Sequence, residues 1–152
     1  MKNVRHVGIV VTDMVRALRF YRDLLNFTVV WDKDEQGEYI DKMLSLTKVQ
    51  VRTVKMKVDD GTTLVELLEF KSHPRPISPE REICSVGPAH IAFTVDDLDV
   101  IYYHLSQAGV HFNAPPQLSP DGLAKVTFCQ DPDGTPIELV ESMDPIKTGS
   151  VK

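Results

Sequence analysis

The sequence has few of the features that mark membrane-bound, disulfide-linked or secreted proteins. Its 152 residues include two cysteines, which form no CxxC pair and are too few for a disulfide scaffold, so we expect a reducing compartment. No apolar run approaches the roughly 20 residues that cross a bilayer. The N-terminal apolar stretch is too short for a secretory signal. We therefore expect a cytoplasmic protein with no membrane partner.

Basic charge is sparse as well. The formal net charge is −5 and no block of consecutive like charges appears, whereas nucleic-acid-binding domains usually carry a basic stripe. The richest basic stretch, VRTVKMK, contains Arg52, Lys55 and Lys57, which do not all share one face of a strand. We interpret them as solvated side chains and not as an anion site. We predict no nucleic-acid partner.

The sequence contains an internal repeat instead. His6 aligns with His90 at an offset of 84 residues, so that HVGIVVTDMVRALRFYRDLL matches HIAFTVDDLDVIYYHLSQAG. Each copy has a short apolar strand, an acidic N-cap and an amphipathic helix, and Gly109 is typical of a helix C-terminus. Two copies of one supersecondary unit are therefore predicted to pack together.

Each half also ends alike, with an Asp-Gly turn followed by VELLEF or IELVES. Two more strands fit before that ending: FTVVWD and VQVRTVKMKV in the first half, VHFNAPP and LAKVTFCQ in the second. We predict an α+β fold of two paired βαβββ modules that form a curved sheet around a common cleft. The longer first half predicts a short inserted helix within 39–49.

We assign the repeat to a single domain at 1–143. Module one spans 1–72, a connector spans 71–88, and module two spans 88–143, followed by a tail at 144–152. The connector contains four prolines, which favour an extended segment.

Strand alternation predicts which side chains face the cleft. His6 and Gly8 alternate with aliphatic residues in the first strand, and Glu66 does so in the last strand of module one. The aliphatic sides suit packing against the helix, which leaves His6 and Glu66 for the cleft. In module two the same alternation leaves His90 and Glu138 for the cleft.

Two histidines and two glutamates in register across a repeat favour a metal site. Imidazole and carboxylate suit Zn, Ni, Co, Mn or Fe in the +2 state, and four protein ligands of six leave two positions open. Burying an ionised carboxylate without a partner costs several kcal/mol or more. A purely structural role for these glutamates is therefore less favoured. Glu69 and Glu141 fall on the opposite strand face and are interpreted as capping or surface charges. No partner is evident for His73, His104, His111, Cys84 or Cys129.

The segments quoted above, together with DPDGTPIELVE, resemble the vicinal oxygen chelate superfamily over about residues 4–143, nearest to glyoxalase I and methylmalonyl-CoA epimerase. The resemblance implies metal ligands at His6, Glu66, His90 and Glu138. It implies one divalent ion per site, with Ni, Zn, Co or Mn favoured over Fe. It also implies a small-molecule substrate with adjacent oxygens, and a homodimer.

The activity implied by the resemblance is that of a metal-dependent lyase or isomerase of the glyoxalase I (lactoylglutathione lyase) type. Such an enzyme abstracts a proton next to a carbonyl through a metal-chelated enediolate, with Glu66 or Glu138 as the catalytic base. The first alternative is an acyl-CoA epimerase, for whose additional base Glu35 and Glu38 are the nearby candidates. An extradiol-type dioxygenase follows, although those enzymes have no ligand at the position of Glu66. A non-catalytic drug-binding resistance protein comes last.

Overall fold

The computed structural model describes residues 2–59, 61–74, 83–84 and 86–143. The chain divides into two compact units, Met1–Ser78 and Pro79–Lys152, each of which holds one copy of the repeat. Much of the predicted connector and all of the predicted tail lie outside the described residues. In the described part of the chain, no helix is long and apolar enough to cross a membrane.

Each unit has the predicted βαβββ order of elements. Unit one contains β1 (His6–Val10), α1 (Met14–Leu18) with a π-helical continuation (Arg19–Leu24), β2 (Thr28–Gln36), α2 (Glu38–Leu44), β3 (Gln50–Lys57) and β4 (Leu64–Phe70). Unit two contains β5 (Ile91–Thr94), α3 (Leu98–Gln107), β6 (Gln117–Leu118), β7 (Ala124–Gln130) and β8 (Pro136–Ser142). The α+β prediction is confirmed, and the inserted helix predicted within 39–49 corresponds to α2.

The two sheets have the same topology. The strand order is β1-β4-β3-β2 in unit one and β5-β8-β7-β6 in unit two. The first and last strands of each repeat pair in parallel, and the remaining pairs are antiparallel. This topology makes the first strand, at whose start the histidine lies, a direct neighbour of the last strand, which carries the glutamate.

One face of each sheet packs against the helix of its own unit. Val65 and Leu67 on β4 are buried against α1, with 3% and 0% of their surface exposed. Ile137 and Leu139 on β8, exposed by 0% and 1%, take the equivalent positions against α3. The residues between them in each strand therefore lie on the opposite face of the sheet.

Two carboxylates fix the start of each main helix. Asp13 and Asp97 are the N-caps of α1 and α3, and each accepts a hydrogen bond from the backbone N–H three residues later. Glu69 and Glu141 each accept a bond from the N–H of the first residue of that helix. The interpretation of these two glutamates as capping charges is confirmed.

The second strand of the second repeat lies later than predicted. The sequence favours a strand over 110–116, but β6 consists of Gln117 and Leu118, and within 110–116 Phe112 forms only an isolated bridge. Pro115 and Pro116 interrupt this segment. Neither has an N–H to donate, so they cannot extend a ladder with β7.

The first helix departs from the predicted apolar stripe at its end. Leu24, an apolar residue near the end of the predicted amphipathic helix, is 43% exposed. The N–H of Leu25 donates to the carbonyl of Phe20, five residues back. This π-helical turn rotates the later positions away from the 3.6-residue period on which the prediction rests.

The inserted helix covers one end of the sheet face that carries Glu66. Ile40 on α2 forms a buried cluster with Val49 and Val51, and Leu68 and Phe70 of β4 pack against it. Leu68 and Phe70 are on the same face as Glu66 by alternation, so this cluster closes that face beyond Glu66.

The N-cap of α3 generates a first prediction. Asp97→Ala removes the acceptor for the N–H of Val100, and we expect the free energy of unfolding to fall by about 1 kcal/mol in urea denaturation. Asp96→Ala removes the same charge one residue earlier and is expected to change stability by less than about 0.5 kcal/mol. Equal losses in both variants would assign the effect to charge and not to the cap.

The cysteines generate a second prediction. Cys129 is fully buried, and this burial raises the pKa of its thiol to about 12, whereas Cys84 is exposed. At about pH 8 only about one Cys129 in ten thousand is a reactive thiolate. We expect iodoacetamide to label one thiol per native chain, at Cys84, and both thiols in denaturant, as read by peptide mass spectrometry. Rapid native labelling of Cys129 would contradict this burial.

Candidate functional site

The structure brings together His6 and Glu66 of unit one. His6 is the first residue of β1, and Gly8, two residues later, lies directly opposite Glu66 on β4. The Nε2 atom of His6 is 3.2 Å from Oε2 of Glu66. The glutamate side chain is 12% exposed and the histidine side chain 36%, so the pair is partly shielded yet open to a ligand.

Unit two contains an equivalent pair. His90 comes directly before β5, and Ala92, two residues later, lies opposite Glu138 on β8. The Nε2 atom of His90 is 3.1 Å from Oε2 of Glu138. The side chains of His90 and Glu138 are 36% and 21% exposed. Each repeat thus places one imidazole beside one carboxylate.

Gly8 keeps the backbone close to the carboxylate of Glu66. A Cβ atom at Gly8 would lie 3.8 Å from Oε2 of Glu66 and 3.4 Å from Cδ1 of Leu68. Both distances are ordinary contacts, so alanine fits, but any longer side chain would occupy the space beside the carboxylate.

The spacing within each pair fits two ligands of one metal ion. Two donor atoms with bonds of about 2.1 Å are about 3.0 Å apart at a right angle and about 3.4 Å apart at the tetrahedral angle. The observed separations, 3.2 Å and 3.1 Å, lie between these values. Within either unit, the described residues include no group of three or more His, Cys, Asp or Glu side chains placed to hold an ion. Each unit brings together two of the four residues predicted as ligands.

Lys55 joins the pair in unit one. It lies directly opposite Glu66 on β3, and its Nζ atom is 3.2 Å from Oε1 of Glu66. The side chain of Lys55 is 29% exposed. Glu66 therefore contacts an ammonium through one oxygen and an imidazole through the other. A cation at this position opposes the binding of a second cation to the same carboxylate.

The sequence analysis did not assign Lys55 to the site. Lys55 and Lys57 lie on the face of Glu66, whereas Arg52 lies on the other face and pairs with Asp32. The hydrogen bonds from Arg52 hold the pKa of the Asp32 carboxyl below its usual range. Pairing β3 and β4 as a hairpin across the Asp-Gly turn would have placed Lys55 opposite Glu66.

The second repeat has an aromatic residue where the first has Lys55. Phe128 lies directly opposite Glu138 on β7. Its ring meets the His90 ring edge-on, with 5.2 Å between the centroids. The two pairs are therefore alike in their donor atoms and different in their surroundings.

The other glutamates and histidines considered in the sequence analysis lie outside the two His–Glu pairs. Oε2 of Glu35 accepts a hydrogen bond from the buried Thr53, and Glu38 is an exposed residue of α2 that pairs with Lys42. His73 bonds to the hydroxyl of Ser72, and His104 and His111 are exposed.

A sequence model of the family described as the Glyoxalase/Bleomycin resistance protein/Dioxygenase superfamily matches residues 3–139. The uncharacterized protein YaeR of Escherichia coli (strain K12) is 32% identical over 142 residues. The match covers 93% of this chain and 97% of that protein.

Solved structures share the fold at low identity. A glyoxalase family protein from Bacillus cereus superposes with a TM-score of 0.83 at 20% identity, covering 95% of this chain and 96% of that one. Lactoylglutathione lyase from Agrobacterium tumefaciens has a TM-score of 0.61 at 19% identity, covering 93% and 94%. TnmS3, an antibiotic binding protein from Streptomyces sp. CB03234, has a TM-score of 0.64 at 19% identity, covering 93% and 97%. These likenesses confirm the predicted fold.

Proposed function

Because the chain belongs to the Glyoxalase/Bleomycin resistance protein/Dioxygenase superfamily, we propose that it is a divalent-metal-dependent lyase or isomerase of the glyoxalase I type. Its substrate is a small molecule with adjacent oxygens, and it acts as a homodimer. The observation that carries the proposal is the equivalent pairing of His6 with Glu66 and of His90 with Glu138. A fold alone does not require an imidazole and a carboxylate at the same register in both repeats.

The four residues of these pairs would hold the ion. Their nitrogen and oxygen donors suit Ni, Zn, Co or Mn in the +2 state. When bound, the ion supplies a Lewis acid that polarises a carbonyl oxygen of the substrate.

The two glutamates differ in how firmly they are held, and this difference separates their roles. Both oxygens of Glu66 are engaged, by His6 and by Lys55, whereas the described residues contact Glu138 only through Oε2. We assign Glu138 as the base that takes the proton from the carbon next to the carbonyl, since it has more freedom to move. Glu66 is the anchored ligand.

The structure gives less support to an acyl-CoA epimerase. Glu35 shares a face with Glu66, but by strand register it lies level with Phe70, four residues along β4 from Glu66. This separation is about 13 Å along the strand, and the carboxylate is engaged by Thr53. Glu35 is therefore poorly placed to be the additional base beside the first pair.

One observation favours a metal-free binding protein as the second candidate. The ammonium of Lys55 already balances the charge of Glu66. TnmS3, which shares the fold, is described as an antibiotic binding protein, so a binding role without catalysis is the second candidate.

Metal content tests the proposal directly. Protein purified without a metal-affinity tag should contain about one Ni, Zn, Co or Mn ion per chain by elemental analysis. His6→Ala and His90→Ala should each weaken binding of the ion by at least about tenfold in a chelator competition, because each removes a ligand. His104→Ala is the matched control, since that histidine is exposed on α3.

Several outcomes would contradict the metal site. Full metal content in both His6→Ala and His90→Ala would show that the ion binds elsewhere. No metal in the wild type, even after each ion is added back, would favour the binding protein. Iron with oxygen consumption on a catechol would favour the dioxygenase.

The roles of the glutamates give a further prediction. In heavy water, NMR should show exchange of the proton next to the carbonyl in a hemithioacetal, and acyl-CoA thioesters should be screened in parallel. Glu138→Gln should slow the exchange by about 10²–10⁴-fold, whereas Glu66→Gln should chiefly weaken metal binding.

Matched controls lie on the same strands. Glu69→Gln and Glu141→Gln face the helices and keep an oxygen that accepts the bond at the helix N-terminus, so exchange should continue. Equal losses of exchange and metal in Glu66→Gln and Glu138→Gln would contradict the division of roles. Exchange with acyl-CoA thioesters alone would favour the epimerase.

A further inference from the structure

The face of the unit-one sheet that carries Glu66 also carries a tryptophan and several lysines. Lys55 lies opposite Glu66 on β3, and Trp31 lies opposite Lys55 on β2. Lys33, two residues after Trp31, lies on the same face. We call Trp31, Lys33 and Lys55 the lysine–tryptophan strip.

A β-bulge puts the strip on this face. Val29 pairs with Met56 before the bulge, and Trp31 pairs with Lys55 after it, so Val30 is the extra residue. Without the bulge, Val30 would lie opposite Lys55, and Trp31 and Lys33 would point to the other face. Bulges are common next to functional sites because they redirect side chains in this way.

The strip has an excess of positive charge beside an exposed ring. The Nζ atoms of Lys33 and Lys55 are 4.4 Å and 5.8 Å from the centroid of the Trp31 ring, which is 41% exposed. Lys55 pairs with Glu66, but within the described residues no carboxylate pairs with Lys33. Glu35 lies on the same face, and its carboxylate accepts a hydrogen bond from Thr53. The ammonium of Lys33 is therefore available to an anionic ligand.

The second repeat lacks such a strip. Phe128 stands in the position of Lys55, and β6 consists only of Gln117 and Leu118. The βαβββ fold therefore forms without lysines at this place, so structural need does not account for them.

We propose that the lysine–tryptophan strip binds a carboxylate that the substrate carries in addition to its adjacent oxygens. Lys55 already holds a carboxylate, that of Glu66, and an ammonium has further protons to donate to a second one. Lys33 supplies the second charge, and the Trp31 ring contacts the carbon skeleton between them. This inference rests on the proposed function and narrows its substrate to the anion of an organic acid.

The test compares two probes that differ in one group. Malate and 2-hydroxybutyrate share an α-hydroxy carboxylate and a four-carbon chain, but malate has a carboxylate where 2-hydroxybutyrate has a methyl group. Isothermal titration of the metal-loaded protein should give at least about tenfold tighter binding of malate. Trp31 is the one tryptophan of the sequence, so its fluorescence gives a second reading in the wild type. Metal content is measured again after each titration.

Charge-removing variants then locate the carboxylate. Lys55→Met and Lys33→Met should each reduce the preference for malate by about tenfold, and Lys55→Gln repeats the test if Lys55→Met does not fold. Lys42→Met is the matched control, because it removes the same charge from an exposed position on α2 and should leave the preference unchanged. If the variant at Lys33 or Lys55 loses the preference for malate but keeps its metal, a purely structural role of that lysine does not explain the loss.

The outcomes separate this inference from the proposed function. Equal affinity for the two probes in the metal-loaded wild type, or a preference unchanged in both lysine variants, overturns the carboxylate site and leaves the metal site standing. If the wild type binds no metal, the same titrations are made on the metal-free protein. A malate preference that depends on Lys33 and Lys55 then supports the strip although the metal proposal fails. If the metal-free protein shows no preference for malate, both the carboxylate site and the metal site are overturned.

Discussion

The parallel pairing of the first and last strands in each repeat is the constraint on which the candidate site depends. It sets Gly8 opposite Glu66 and Ala92 opposite Glu138, so that the histidine two residues before each small residue reaches the neighbouring carboxylate. A shift of one residue in either register would turn the glutamate towards the helix. The small residue opposite each glutamate keeps its carboxylate uncovered.

The last strand of each repeat also couples the site to the helix. Glu66 and Glu69 are three residues apart on β4 and face opposite sides of the sheet. Glu69 binds the N-terminus of α1, and in unit two Glu141 binds that of α3. The docking of each helix therefore helps to fix the strand that presents the site carboxylate. Side chains outside the site support its geometry in this way.

Much of this arrangement can be predicted from the sequence. The alternation of side chains along each strand and the internal repeat independently indicate the same residues. They predict the His–Glu pairs, the N-caps and the inserted helix. They do not predict the place of β6, since Pro115 and Pro116 prevent pairing where the apolar pattern favours it. Nor do they predict the face of Trp31, because one extra residue at Val30 reverses the alternation.

The two His–Glu pairs differ in the charge of their neighbours, because Lys55 lies beside the first pair and Phe128 beside the second. The positive charge of Lys55 is compatible with a metal ion in the following way. If the proposed function is right, the two charges of a divalent ion are balanced by the carboxylates of Glu66 and Glu138. Lys55 then adds one uncompensated positive charge beside the site, where Phe128 adds none in the second repeat. At an effective dielectric constant of about 20, unit charges 4 Å apart interact by about 4 kcal/mol. A substrate carboxylate near Lys55 would restore the balance, whereas a neutral substrate would leave the ammonium and the ion to repel each other. The charge of Lys55, which by itself opposes the binding of a metal ion, thus favours an anionic substrate once the ion is bound.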